Sequence, residues 1–406
     1  MEQSVRRRRV FYIPGYDPIH PRRYRELYRK EGAAQAGISG YEIALAPKQT
    51  KGPYGWHVTS QMEGAEVQAD VEVLVWSDIV RDSMSNSIPA TYAQLARTAW
   101  EYIATGALWR LMKLRKGPVM AALYPVGALI VQLVLALLLG WAGFALVGLT
   151  TPWIGAVALM LGAVAWAAIT VFVLRWFKAK DGKTFVYYLM HDYAYSARYR
   201  GANPPELEAR LAEFGDVIAE ALTGDVDEVL VVGHSSGAHL AVSILADLIR
   251  AGRVPETGPA LSFLSLGQVV PMVSFLRDAH RLRADLQYLC TRKELAWVDV
   301  TAPGDGCAFA LCDPVSVSGV APEGKRWPLV FSAQFTKSLS PERWKELRWK
   351  FFRLHFQYLC AFDRPLDYDY FQITAGPITL DARYANRPPS SSRIDHAVSK
   401  FTSVAA

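Results

Sequence analysis

The sequence predicts an α/β protein in which a mostly parallel sheet flanked by helices is interrupted by a two-helix transmembrane hairpin. Three observations predict it. Short Val-rich apolar runs alternate with stretches of helical periodicity. One run, residues 228–232, passes through Gly233-His234-Ser235-Ser236-Gly237 straight into a helical stretch. Finally, residues 118–174 contain no charged side chain, well over twice the ~20 residues that one bilayer crossing needs.

The chain has 406 residues, 51% of them hydrophobic, with a net charge of +6. Its mean hydropathy of +0.10 is high for a soluble enzyme. The basic residues gather at the N-terminus and beside the apolar block, with no nucleic-acid motif, so membrane-surface charge explains them better than a nucleic acid does. Cys290, Cys307, Cys312 and Cys360 form no CxxC pair and lack His at zinc-finger spacing. They read as buried thiols in a reducing compartment. No long internal repeat is visible.

Taken in order, Arg6 to Arg9 form a four-arginine run that reads as a solvated basic arm, too close to Pro14-Gly15 for a secretory signal. Val10 to Ile13 read as a strand, and Pro14-Gly15-Tyr16-Asp17-Pro18 as the turn after it. Residues 21–36 have helical periodicity with Gly37 placed to end them. Residues 43–46, 56–60 and 71–76 are further strands, and residues 90–114 are helical. In the apolar block, Gly148 to Pro152 supply a break, which gives two crossings at about residues 121–147 and 153–172. Arg110, Lys113, Arg115 and Lys116 precede the block, and Arg175, Lys178, Lys180 and Lys183 follow it. The positive-inside rule therefore puts both flanks in the cytoplasm. The hairpin leaves and returns within one inter-strand connection, so it is expected to locate the protein without shaping its site. Strands are expected again at residues 261–266, 295–300 and 327–335, and helices at 206–222 and 341–359. The tail from Arg387, with Pro388-Pro389-Ser390-Ser391-Ser392, reads as disordered. The resulting divisions are residues 1–117, 118–177 (hairpin), 178–386 and 387–406.

The turn at Ser235 is the chemical focus. A sharp strand-to-helix turn strains the serine backbone and exposes its hydroxyl, and the helix N-terminus beyond it favours developing negative charge. Ala238, Leu240, Ala241, Ile244, Leu245 and Leu248 give the helical spacing that follows. Backbone N–H groups of Ser236 and of Tyr16, in the turn after the first strand, are the candidate oxyanion donors, although PGYDP lacks a Gly-rich pattern. Where a serine in such a strand–turn–helix resembles the α/β-hydrolase elbow, the resemblance implies that the acid and then the histidine follow it in the chain. Only His355 and His396 come after Asp305, and His396 lies in the polar tail, which leaves His355. For the acid, Asp305 sits in a Gly-flanked turn just beyond a strand. Asp313 competes with it, and Asp299 inside the strand is a third choice. His191-Asp192 reads as structural, because sequence neighbours point in different directions.

YIPGY, GHSSGAHLA, WVDVTAPGDG and LHFQYL together resemble the α/β-hydrolase superfamily, and in particular lipase- and esterase-like bacterial members. The likeness spans roughly residues 9–117 and 182–377 and is most specific at the elbow. In similar proteins a Trp-containing strand runs into a turn aspartate, which favours Asp305, and the catalytic His lies in a His-x-x-Tyr setting, matched by His355 and Tyr358. The resemblance implies a Ser235–His355–Asp305 serine hydrolase or acyl transferase acting on small-molecule or lipid esters, with no cofactor or metal. The expected setting is a two-pass membrane protein of the bacterial inner membrane, with both termini and the catalytic domain cytoplasmic. The competing expectation is a non-catalytic membrane adaptor on the same scaffold.

Overall fold

A computed structural model describes residues 4–48, 50–84 and 87–405. It is an α/β protein built on one mixed eight-stranded sheet. The strands are β1 (Arg7–Ile13), β2 (Glu42–Pro47), β3 (Gly55–Met62), β4 (Ala65–Val73), β5 (Glu228–His234), β6 (Ala260–Leu266), β7 (Leu295–Thr301) and β8 (Leu329–Ser332). Their order across the sheet is β2-β3-β4-β1-β5-β6-β7-β8. The two pairs at one edge, β2–β3 and β3–β4, are antiparallel, and every other pair is parallel. Hydrophobic cores cover both faces. Helices Pro205–Leu222 and Gly237–Arg250 pack on one face, and Tyr24, Tyr28, Tyr358 and Phe371 help fill the other.

Close backbone approach explains the glycines at the centre. A Cβ on Gly237 would stand 2.0 Å from the Ile13 carbonyl oxygen, and one on Gly233 would stand 2.7 Å from the Ala238 Cα. The helix beginning at Gly237 therefore lies directly against the end of β1 and its own strand.

Several local expectations need correction. The arginine run is not a solvated arm, because β1 begins within it and alternation turns Arg8 inward. Arg8 Nε donates to Glu228 Oε2 at 2.6 Å, and its two other nitrogens donate to the carbonyls of Gly376 and Ile378. The buried charge is thus fully paired. The first helix runs Arg22–Ser39, through Gly37, and ends at Gly40, whose φ of 73° supplies the left-handed cap. Strand β4 stops at Val73, and Trp76 begins a short helix, Ser77–Ser83. Gly106 divides residues 90–114 into helices Ile88–Ala104 and Ala107–Leu114. Residues 341–359 break into Pro341–Leu347, Phe351–His355 and a 3₁₀ turn, Gln357–Leu359. Strand β8 is shorter than residues 327–335.

The expected disordered tail is instead docked. Ile394 N–H donates to Leu311 O, Val398 N–H to Val317 O, and Ser403 O accepts from the buried Arg283 guanidinium at 2.7 Å. The tail is held because it satisfies buried donors and acceptors that would otherwise be left unpaired.

The apolar block forms two helices, Lys116–Thr150 and Ala156–Ala179, each long and apolar enough to cross a membrane. The chain turns at residues 151–155, overlapping the expected break at Gly148 to Pro152, with the first helix running on through Gly148 to Thr150. Small residues let the pair approach: Gly140 faces Trp166 and Thr170, and Gly162 faces the Phe144 ring. The first helix has 35 residues and the second 24, so the first projects about 16 Å farther. Close to that projecting end the helix packs on the protein, with Leu129 buried among Val186, Tyr187, Met190 and Ala194 of the helix Val186–Arg198.

Gly237→Ala should destabilise the fold by about 1–3 kcal/mol or more, because the new methyl meets backbone rather than a movable side chain. Gly37→Ala lies in a helix with nothing within 4 Å, and should stabilise by about 0.5–1 kcal/mol. Thermal unfolding midpoints of the two variants should move in opposite directions.

Candidate functional site

Ser235 sits between β5 and the helix Gly237–Arg250 with φ of 57°, a conformation that costs a non-glycine residue energy. Its N–H donates to Leu266 O at 2.9 Å, which ties the turn to the end of β6. The turn after β1 lies against it: a Cβ on Gly15 would stand 3.0 Å from Ser235 Cβ and 3.3 Å from Oγ. That turn is held from three sides. Trp76 Nε1 donates to Pro14 O at 2.9 Å, the Tyr16 hydroxyl bonds Ser83 Oγ at 2.6 Å, and the Tyr188 hydroxyl donates to Tyr16 O. Among the described residues, neither Tyr16 N–H nor Ser236 N–H has an acceptor. Both residues line the same cavity as Ser235.

His355 lies in that cavity wall too. Its Nδ1 is 2.7 Å from Asp305 Oδ2, and both side chains are buried. The carboxylate is fixed by two further donors, the Tyr358 hydroxyl to Oδ2 at 3.1 Å and Cys307 N–H to Oδ1 at 2.8 Å. Tyr358 is anchored in turn, accepting from Ala302 N–H at 3.0 Å. The imidazole position is set from behind by His234, whose Nε2 lies 3.0 Å from His355 O while its Nδ1 lies 3.2 Å from the Tyr12 hydroxyl. Burial pushes His234 well below the usual histidine range, with the neighbouring His355 adding to the effect. A neutral ring that donates through Nε2 and accepts through Nδ1 satisfies both contacts. Gly267 (φ 52°) completes the frame, since a Cβ there would stand 3.1 Å from His355 Cε1.

The other candidates separate cleanly. Asp313 accepts from Val315 N–H and Ser316 N–H, caps a short helix and pairs with Lys325. It therefore does not serve His355. Asp299 is wholly buried inside β7, where Ser265 Oγ donates to its Oδ1 at 2.5 Å and its Oδ2 has no partner. Burial pushes its carboxyl up to about 8. His191 bonds Gln94 Oε1 at 2.8 Å, away from the site.

Asp192, its sequence neighbour, does line the cavity, and burial raises its carboxyl to about 7, countered by His355. The divergence of the two neighbours follows helix geometry, but the sequence carried no sign of which one faces inward. The expectation that the hairpin leaves the site alone also fails. Gly117, Pro118, Met120, Ala121 and Tyr124 of the first hairpin helix form part of the cavity wall. Gly117 packs on Gly306, next to Asp305, and Arg115 Nε donates to Ala310 O at 2.6 Å.

Asp305, Cys307 and His355 place ligand-type atoms within 4.8 Å of one another. Their chemistry fits a proton relay better than a metal ion. Nδ1 and Oδ2 are directed at each other, and the carboxylate is already taken up by the Tyr358 hydroxyl at Oδ2 and Cys307 N–H at Oδ1. The arrangement can hold a hydroxyl, a histidine oriented by a carboxylate and two backbone N–H donors around one space of about 1180 Å³.

Native Asp299 keeps its proton up to about pH 8, whereas an unfolded aspartate loses it near ~3.9. Between those values the native state binds more protons, so this residue lowers stability as pH rises. Melting temperature in detergent should fall between pH 5 and pH 8, and Asp299→Asn, which can still accept from Ser265, should flatten that fall. Equal slopes in the two proteins would contradict the assignment.

Comparison with protein-family models, with curated proteins and with solved structures finds no match for this chain, so the geometry above carries the functional argument.

Proposed function

We propose that this chain is a membrane-anchored serine hydrolase of the α/β-hydrolase type, which cleaves or transfers acyl esters. The observation that carries the proposal is the convergence of Ser235, at positive φ, with the His355–Asp305 pair on one cavity. Ser235 Oγ attacks the acyl carbonyl, and His355 takes its proton through Nε2 while Nδ1–H donates to Asp305. Tyr16 N–H and Ser236 N–H hold the oxyanion. As the tetrahedral intermediate collapses, His355 gives the proton to the departing alcohol. The acyl group on Ser235 then passes to water, or to another alcohol, by the same steps in reverse. The Ser235 backbone and the His355–Asp305 pair are held by their neighbours, and the reaction needs Ser235 Oγ brought onto His355 Nε2.

Two features support the membrane reading. The hairpin helices expose large apolar side chains along their lengths, among them Leu138, Leu159, Val164 and Phe172. Exposed Trp153 lies in the turn and exposed Trp176 near the other end of the second helix, whose stretch from Ala156 to Trp176 rises about 30 Å, close to the ~30 Å hydrocarbon layer, as interfacial anchors do. On this reading the projecting end of the first helix leaves the hydrocarbon layer and passes through the headgroup level to the catalytic domain.

Ser235→Ala or His355→Ala should reduce turnover of a short soluble ester by about 10⁴–10⁶-fold. Asp305→Asn should cost less, and Asp313→Asn should change turnover little. A greater loss from Asp313→Asn than from Asp305→Asn would reverse the acid assignment. For topology, reporter fusions after Lys116 and after Lys183 should both report the cytoplasm, with one at Thr151 on the opposite side. Finding the two flanks on opposite sides would remove the hairpin model.

A further inference from the structure

The cavity has an unusual wall. One side belongs to the foot of the first hairpin helix, where Met120 and Tyr124 are exposed. Another part of the wall is the segment from Trp349 to Phe352, which leads from the link after the helix Pro341–Leu347 into the helix Phe351–His355. Trp349, Phe351 and Phe352 all line the cavity and are all exposed, Trp349 by 72%. Aromatic rings of this size gain little from facing water, and in a soluble site they would be turned inward. Phe185 joins them: it follows the hairpin directly, is exposed, and has its ring centroid 5.3 Å from that of Phe352. The Tyr124 hydroxyl donates to Thr184 O at 2.9 Å, so the hairpin foot, Phe185 and the aromatic segment share one rim.

The charge at this rim is mainly basic: Asp181 also lines the wall, but its carboxylate accepts from Tyr187 N–H and Tyr188 N–H. Residues 341–353 carry five basic side chains (Arg343, Lys345, Arg348, Lys350 and Arg353) against two acidic ones, Glu342 and Glu346. Glu346 pairs with Lys350 at 3.1 Å and is within 3.6 Å of Arg353, which still leaves a positive excess. Exposed Lys180 and Lys183 lie on the chain between the hairpin and Phe185. Exposed aromatics interleaved with basic residues, continuous with two apolar helices, match the headgroup layer of an anionic leaflet.

We infer that the cavity is loaded sideways from the membrane: the acyl chain of an anionic amphiphilic ester passes between the hairpin foot and the Trp349–Phe352 lip to reach Ser235. This rests on the hydrolase reading for its chemistry, though not for the binding itself. The chain lodges against Leu189, Tyr193, Met272 and Val273, apolar residues deeper in the wall. The headgroup stays at the lip with Lys183 and Lys350. A space of about 1180 Å³ exceeds the ~300–1,000 Å³ typical of drug-sized ligand sites, which suits a long chain. The hairpin foot thereby acts as part of the binding site as well as an anchor.

The test uses the full-length protein in lipid nanodiscs containing phosphatidylglycerol whose acyl terminus bears a diazirine. After photolysis, cross-linked peptides should map to the helix Val186–Arg198 and to the stretch around Met272, as well as to the outward faces of the hairpin. Replacing Trp349, Phe351 and Phe352 together by Ser should lower the cavity adducts at least tenfold while the hairpin adducts persist. Substituting phosphatidylcholine carrying the same diazirine, in nanodiscs of zwitterionic lipid only, should lower the cavity adducts several-fold. Adducts confined to the hairpin, or cavity adducts indifferent to the Ser substitutions, would overturn lateral loading. Adducts that are equal for the two lipids would overturn the selection for an anionic headgroup. Failure of the hydrolase reading would look different: cavity adducts would form, yet no turnover dependent on Ser235 would be found. Turnover dependent on Ser235 without cavity adducts would leave the chemistry standing and this inference wrong.

Discussion

The contact on which everything else depends is the backbone of Gly237 against the end of β1. With only hydrogen on that Cα, the helix Gly237–Arg250 can start within van der Waals reach of Ile13 O. Three consequences follow from this one approach. The turn must fold back on itself, which drives Ser235 to positive φ. The turn after β1 is brought onto Ser235, with Gly15 the only residue small enough to fit between them. Tyr16 and Ser236, from distant parts of the chain, then line the same cavity. The cost of the strained serine is met by burial on both sides of the sheet, where β5 is wholly enclosed.

A second layer of constraint fixes the histidine. His355 is held by Asp305 in front, by His234 from behind and by Gly267 along one edge. Asp305 is held by Tyr358 and by the backbone of Cys307, and its loop is pressed by Gly117 through Gly306. The hairpin and the proposed catalytic acid are therefore mechanically adjacent. A chain that needed only a tether could have placed its apolar helices on any exposed loop. Here the foot of the first helix meets the acid loop and the cavity wall, so the placing of the apolar hairpin and the shape of the site are set together.

Much of this was legible in the residues because the relevant physics is local. Val-rich runs gave the central strands, the uncharged block gave two long helices, and GHSSG between strand and helix gave the elbow. Spacing and order singled out His355, and the Gly-flanked turn favoured Asp305. What sequence could not supply were the pairings made at long range. Arg8 reads as solvated until Glu228, more than two hundred residues away, is seen opposite it. The tail from Arg387 has the composition of a disordered segment, yet its backbone answers unpaired groups at Leu311, Val317 and Arg283. The choice between Asp305 and Asp313 turned on side-chain partners that no spacing records.

The central claim is that Ser235 is an activated nucleophile, and covalent labelling tests it most directly. The full-length protein in detergent is treated with a fluorophosphonate, then weighed intact and mapped by peptide mass spectrometry. The account predicts a single adduct on Ser235, forming far more slowly in His355→Ala and absent from Ser235→Ala. No adduct in the wild type, or an equal adduct in Ser235→Ala, would contradict it.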